Sequence, residues 1–354
     1  GIRDSSVTGV QTCALPIAEY AYAVGRIRVL ETRLLDEGRL DRMVESSSVD
    51  EAFKILGETE YAHMMAEVES VYDFEEILQA ELERIHLLMQ EINPQAHLTD
   101  LISLKYDFHN LKVLLKGKYL KETGGAMDDL LLPMGTIPLE DLQALIFDEE
   151  FQEDDYELPE EVCRAVEEIA EEFEASGDPQ LIDLSLDRTL YEMLVGRAKE
   201  LKSTVLEELF VREVDLTNIK TFLRVKRMGR DRRFLRRTML PHGRLPVDLF
   251  SDLLDEPLEA LAESLEKSQY ADLADVLVRE WQEKGNVTGF EKLADNMLID
   301  HLRQVKYTTL GLEPLLGYLY AKETEIKNIR IILVGKVNGL PMDEIKERLR
   351  NVYV

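Results

Sequence analysis

From residue 18 onward the apolar positions repeat with a helical period. Tyr20, Val24, Ile27, Leu30 and Leu34 recur at three- and four-residue steps, the spacing that lines up side chains on one helix face. Arg26, Arg28, Glu31 and Arg33 fall on other faces, and Gly38 reads as the stop. Ser48-Val49-Asp50-Glu51 is a capping box, in which Ser48 and Glu51 satisfy free amides at a helix start. It predicts a short helix over 51–56, closed by Gly57. Longer helices are predicted over 71–92 and 99–121, divided at Asn93-Pro94 because proline removes an amide and disfavours helix at the preceding residue. After the break at Thr123-Gly124-Gly125, a new helix is expected beyond Pro138, then helices at 187–210 and 213–228. A second break, from Pro241-His242-Gly243 to Pro246, precedes helices near 247–264, 271–284, 289–307 and 313–336, with a capping box at Thr288-x-x-Glu291. No segment sustains period-two alternation, so an all-α fold is expected.

Residues 1–17 differ from the rest, with neither a helical nor a strand period. Arg3 is cancelled by Asp4, and Thr8, Gly9, Gln11, Thr12 and Pro16 interrupt any apolar stretch, so they do not read as a signal peptide. The expectation is a non-native leader.

Three segments align without gaps around an asparagine. Asp107, Asn110 and Lys118 stand in the first, Asp215, Asn218 and Lys226 in the second, and Glu325, Asn328 and Lys336 in the third. In each, an acid lies three residues before the Asn and a Lys eight after, and the Asn positions are 108 and 110 residues apart. On a helix, positions i, i+3, i+7 and i+11 share one face. Each copy therefore presents acid, amide, a large apolar group (Leu114, Phe222 or Ile332) and ammonium in a stripe. A buried amide is costly without partners, so the stripe is expected to fix helix packing or to contact a partner. Val49-Asp50-Glu51, Leu139-Glu140-Asp141 and Val247-Asp248 read as matching helix starts upstream. A domain-sized period predicts three related helical domains, 18–125, 126–240 and 241–354.

Composition narrows the function. The 354 residues include 70 acidic and 42 basic side chains, a net charge of −28, which argues against a general nucleic-acid binder. Cys13 and Cys163 are too few for a disulfide framework and fit a reducing compartment. Nothing approaches 18 consecutive apolar residues, so no membrane span is expected. Residues 147–174 hold 14 acids against Arg164 alone and read as a solvated face or loop. Against this background stands a basic cluster over 224–237, including Arg230, Arg232, Arg233, Arg236 and Arg237. It could neutralise the acidic run, or meet anionic lipid headgroups or an acidic protein.

Catalytic signatures are missing. There is no G-x-x-x-x-G-K-[ST] phosphate cradle, no G-x-G-x-x-G, and no metal-ligand spacing among His63, His86, His97, His109, His242 and His301. His109 has Thr217 and Lys327 as its repeat equivalents, which speaks against a catalytic role. No cofactor and no metal are expected.

The segment 20–35, YAYAVGRIRVLETRLL, resembles the N-terminal helix of the C subunit of V/A-type ATP synthases, which is related to the vacuolar ATPase d subunit. Leu56-Gly57-Glu58-Thr59-Glu60-Tyr61 and the stretch from Lys105 to Lys112 resemble the next two family blocks, and the internal repeat is a family property. The likeness covers about residues 18–354. The resemblance implies an all-helical funnel of three similar domains around a pseudo-threefold axis, seated on the cytoplasmic face of the membrane proteolipid ring. It implies a non-catalytic rotor part whose socket receives the D and F subunits of the central stalk, peripheral to the membrane, with partly hydrophobic stalk docking. A helical scaffold or adaptor unrelated to rotary ATPases, or an enzyme with an unrecognised helical active site, are the alternatives.

Overall fold

The structure, a computed structural model, describes residues 11–93, 96–120, 130–148, 150–283, 288–309 and 311–354. Pro94, Thr123-Gly124-Gly125 and residues 1–10 lie outside them. The described residues are all-α, with short 3-10 segments and no strand among them. In chain order the helices are α1 (Gln11–Glu31), α2 (Glu37–Glu45), α3 (Val49–Leu56), α4 (Phe74–Ile92), α5 (Ala96–Leu120), α6 (Leu139–Phe147), α7 (Glu160–Ser176) and α8 (Gln180–Glu200). They continue with α9 (Thr204–Arg227), α10 (Arg232–Thr238), α11 (Val247–Leu253), α12 (Leu258–Glu266), α13 (Ala271–Glu283), α14 (Thr288–Arg303), α15 (Glu313–Val337) and α16 (Met342–Arg348).

Several boundaries depart from the periodicity. The backbone is already helical from Gln11, so α1 takes in the last part of the aperiodic 1–17 segment. Gly38 does not stop α1; it sits inside α2, which Asp36 starts by accepting from the Arg39 amide at 2.8 Å. A short carboxylate at an N-cap outweighs the cost of one helical glycine. The break expected near 211 is absent, because buried Leu206, Leu209, Phe210 and Val214 carry one face straight through. The chain breaks earlier, where Lys202 takes φ 53° and Ser203 caps α9 by accepting from the Leu206 amide. The Ser48 cap forms at 3.2 Å, but Glu51 reaches the Ser47 amide instead of that of Ser48. The side chain of Thr288 lies outside the described residues.

The backbone divides into two compact units, residues 1–96 with 262–354, and residues 97–261. In the first, α15 is the central element. Leu315, Leu319, Ile326, Ile329, Ile332 and Leu333 are buried on its several sides, as befits a helix apolar all round. One core joins the two ends of the chain: Leu35, Leu40, Met43, Val44 and Leu56 meet Ile326, Ile329, Ile332 and Ile345. In the second unit, α7, α8 and α9 pack together, and α5 is tied to them by Lys105–Glu213 at 3.0 Å and Lys112–Asp187 at 2.5 Å. α7 accounts for part of the acidic run: Val162, Cys163, Ala165, Val166 and Ile169 face inward while its carboxylates face water. Burial pushes the Cys163 thiol up to about 12, leaving it protonated and unreactive.

Candidate functional site

The recurring stripe lies on the three longest repeat-related helices, α5, α9 and α15, and its acids and amides are buried. Asp107, Asn110, Asp215 and Asn218 are fully inside, and Asn328 and Glu325 nearly so. Each asparagine grips main chain that follows its helix. The Asn110 amide donates to the Leu132 carbonyl at 2.8 Å and accepts from the Leu132 amide at 2.8 Å. Asn218 makes the same pair with Leu240 at 2.9 and 2.8 Å, and Asn328 with Arg350 at 3.1 and 2.8 Å. In all three copies the gripped residue is 22 positions beyond the Asn. A carboxamide is one of the few side chains that can satisfy a donor and an acceptor of one residue together.

The acid and the ammonium grip the turn and helix that come next. Asp107 accepts from the amides of Thr136 and Ile137 at 3.0 and 3.1 Å, and from the Thr136 hydroxyl at 2.7 Å. Asp215 accepts from the Leu245 amide at 2.9 Å. Burial raises the Asp107 carboxyl above its ordinary value despite these bonds. The loops approach so closely that a Cβ on Gly135 would stand 2.0 Å from Asp107 Oδ1, and one on Gly243 would stand 2.4 Å from Asp215 Oδ1. Lys118 donates to the Ile146 carbonyl, and Lys226 to those of Leu254 and Glu256 at 2.6 Å. These ammoniums sit in the last turn of α5 and α9, where free carbonyls and the helix dipole favour a cation.

In the third copy the corresponding segment comes from the start of the chain. Glu325 accepts from the Leu35 amide at 2.5 Å, and Lys336 donates to the carbonyls of Val44 and Ser46. Nine positions separate Leu35 from Val44, as they separate Ile137 from Ile146 and Leu245 from Leu254. The elements equivalent to α6 and α11 are therefore α2 and its lead-in, not the Val49 helix that the sequence pattern selects. The stronger capping signal at Ser48 points to the wrong helix. Arg33 occupies the place of Gly135 and Gly243; the longer glutamate reaches the Leu35 amide without that close approach.

Sequence reasoning missed the group around Glu325. The Lys322 ammonium, 1% exposed, pairs with Glu81 at 2.8 Å and Glu325 at 2.6 Å and lies 4.9 Å from the Tyr61 ring centre. Tyr61 donates to Glu325 at 2.9 Å, and Arg84 pairs with Glu81 at 2.7 Å. Burial opposes the charge on Lys322, but the two carboxylates outweigh it and raise the ammonium above its ordinary value. Burial likewise opposes ionisation of Glu81, and the bonds from Arg84 and Lys322 turn its shift downward. The Lys322-x-x-Glu325 spacing was legible; that it would be buried was not.

The arginines Arg230, Arg232, Arg233, Arg236 and Arg237 are exposed at the end of α9 and on α10. Arg232 pairs with Asp255 and Arg236 with Asp248, each at 2.8 Å; neither partner belongs to the 147–174 run. His109 Nε2 lies 3.0 Å from the Leu130 carbonyl, a local bond. Among the described residues no group of His, Cys, Asp and Glu side chains could hold a metal ion, and no helix is long and apolar enough to cross a membrane.

What is arranged here is main-chain gripping, repeated at a fixed register along most of the chain. Comparison with known proteins covers the same span. The model of the family described as ATP synthase (C/AC39) subunit matches residues 23–348. The V-type sodium ATPase C subunit of Enterococcus hirae is 28% identical over 327 residues, 92% of this chain and 97% of the relative. The A-type ATP synthase C subunit of Methanocaldococcus jannaschii is 25% identical, over 97% of this chain and 89% of the relative. That of Methanobrevibacter smithii is 27% identical, over 95% and 89%. With all three clamp-bearing helices inside the matched range, the chain belongs to the ATP synthase (C/AC39) subunit family.

Proposed function

We propose that this chain is a non-catalytic central-rotor component of a V/A-type rotary ATPase. It acts as a socket between the D and F subunits of the central stalk and the proteolipid ring, peripheral to the membrane on its cytoplasmic face, and transmits torque during ion transport. The family match over residues 23–348 carries this reading. The relatives' names, C subunits of V-type and A-type enzymes, support it.

The clamps suit such a job. A coupler under torque fails where one helix slides along its neighbour. Each long helix carries an acid and an ammonium 11 positions apart with an amide between them, about 16 Å of helix. Directional hydrogen bonds along that length resist a slip more sharply than apolar contacts, which are non-directional. The clamps support three repeats, over 18–125, 126–240 and 241–354, with residues 35–46 completing the third.

The test is a pull-down of the tagged chain from native membranes. Recovery of D, F and the proteolipid ring in one complex is the expected result. Recovery of a partner set with no rotary ATPase component would overturn the reading in favour of a scaffold or adaptor. Partly hydrophobic docking should appear as a negative heat-capacity change when the purified chain binds a D–F complex.

A further inference from the structure

The end of α9 and the whole of α10 carry charge opposite to that of the chain. Arg232 and Arg236 are matched by carboxylates. Among the described residues the other three arginines are not: Arg230, Arg233 and Arg237 line an open concavity of about 590 Å³ together with Phe234 and Asp231. The Asp231 carboxylate is committed to the Phe234 amide at 2.8 Å. The Arg230 guanidinium lies 5.4 Å from the Phe234 ring centre. Neither Arg233 nor Arg237 has a carboxylate partner among the described residues.

The chain contains its own control for whether these arginines serve the fold. After α15 the same turn and helix occur again. Gly229 and Gly339 take φ +62° and +66°. Each donates to the helix carbonyl three residues back, while the next residue donates five back: Gly229 to Lys226 and Arg230 to Val225, Gly339 to Lys336 and Leu340 to Gly335. This is one helix ending used twice. Leu235 of α10 and Ile345 of α16 are both buried. In that second copy Arg230, Arg233 and Arg237 are replaced by Leu340, Asp343 and Glu347. The turn and helix therefore form without the arginines, whose charge serves something outside the fold.

We propose that this concavity is a docking surface for the phosphates of anionic lipid headgroups. Guanidinium forks match phosphate oxygens, and a phosphate layer above an apolar boundary accepts both cations and apolar groups. Both are present: Met228 is 52% exposed beside the arginines and Phe234 is partly exposed among them. An acidic protein segment would need the cations alone. In a chain of net charge −28, an anionic bilayer repels most of the surface, so the unmatched arginines would orient the molecule towards the membrane. The inference rests on the peripheral-membrane part of the proposed function.

Vesicle flotation of the purified full chain tests it. The vesicles are phosphatidylcholine alone, or phosphatidylcholine with about one quarter phosphatidylglycerol. Binding to the anionic vesicles only, weakened by salt, is expected. Two variants should lose it by more than about tenfold: the triple R230A/R233A/R237A, and R230L/R233D/R237E, which copies the α16 residues and keeps the helix ending. The triple K54A/K199A/K267A removes the same charge from exposed sites elsewhere and should bind as the parent does. Equal loss in that control, no preference for anionic vesicles, or a site that takes inorganic phosphate or polyglutamate while vesicles leave it empty would each overturn the proposal. The pull-down reads the rotor assignment separately: vesicle binding can fail while D and F are still recovered, and the reverse.

Discussion

Lys336, near the end of the chain, donates to the main-chain carbonyl of Val44, 292 positions earlier. Partial burial lowers its ammonium below the ordinary value. Removing residues 1–46 should then expose α15, raising hydrogen exchange over 313–337 while leaving 204–227 unchanged. Exchange rising equally in both helices would mean that the third clamp does not depend on the chain's start.

The asparagines should be among the least replaceable residues. Asn218→Ala leaves a buried donor and acceptor of Leu240 unsatisfied, costing about 2–4 kcal/mol. Asn218→Asp keeps the acceptor but loses the donor and adds a buried charge, so it should not rescue. Urea midpoints of the two variants decide this; loss under about 0.5 kcal/mol in Asn218→Ala would contradict the clamp.

Glycines separate by what their Cβ would meet. Gly243→Ala drives a methyl to 2.4 Å from Asp215 Oδ1 and should destabilise by about 2 kcal/mol or more. Gly196→Ala, inside α8 with nothing within 4 Å, should stabilise by about 0.5–1 kcal/mol. Opposite shifts in melting temperature are the expected pair of results.

Lys322→Met leaves the buried Glu325 carboxylate without its cation and Glu81 with Arg84 alone, and should cost about 3–5 kcal/mol near neutral pH. Adding Glu325→Gln should recover part of that loss, because one uncompensated charge is gone. A double variant less stable than the single would show that the carboxylate serves mainly its bonds to Leu35 and Tyr61.

His86 supplies a pH dependence. Burial lowers it from 6.5 to about 4, so the unfolded chain binds the proton first as pH falls. Its contribution is intact above about pH 6.5 and declines towards pH 4, by about 2 kcal/mol at pH 5. His86→Leu should flatten the fall in stability between pH 7 and 5; an unchanged slope would assign it to the carboxylates.

Much of this protein was legible in one dimension. The all-helical fold follows from apolar spacing, and the stripe Asp107–Asn110–Lys118 was visible because three copies share one register. Local signals misled where two competed, as when the Ser48 cap outshone the Asp36 cap. The identity of each clamp's partner lay beyond the sequence, because a hydrogen bond to main chain leaves no mark on the residue that supplies it. Arg350 shares no side-chain chemistry with Leu132 and Leu240, yet all three present the same amide and carbonyl. The Lys322 cluster stayed hidden for a related reason: only packing removes water, and removal of water is what turns an ordinary Lys-x-x-Glu spacing into a buried ion cluster.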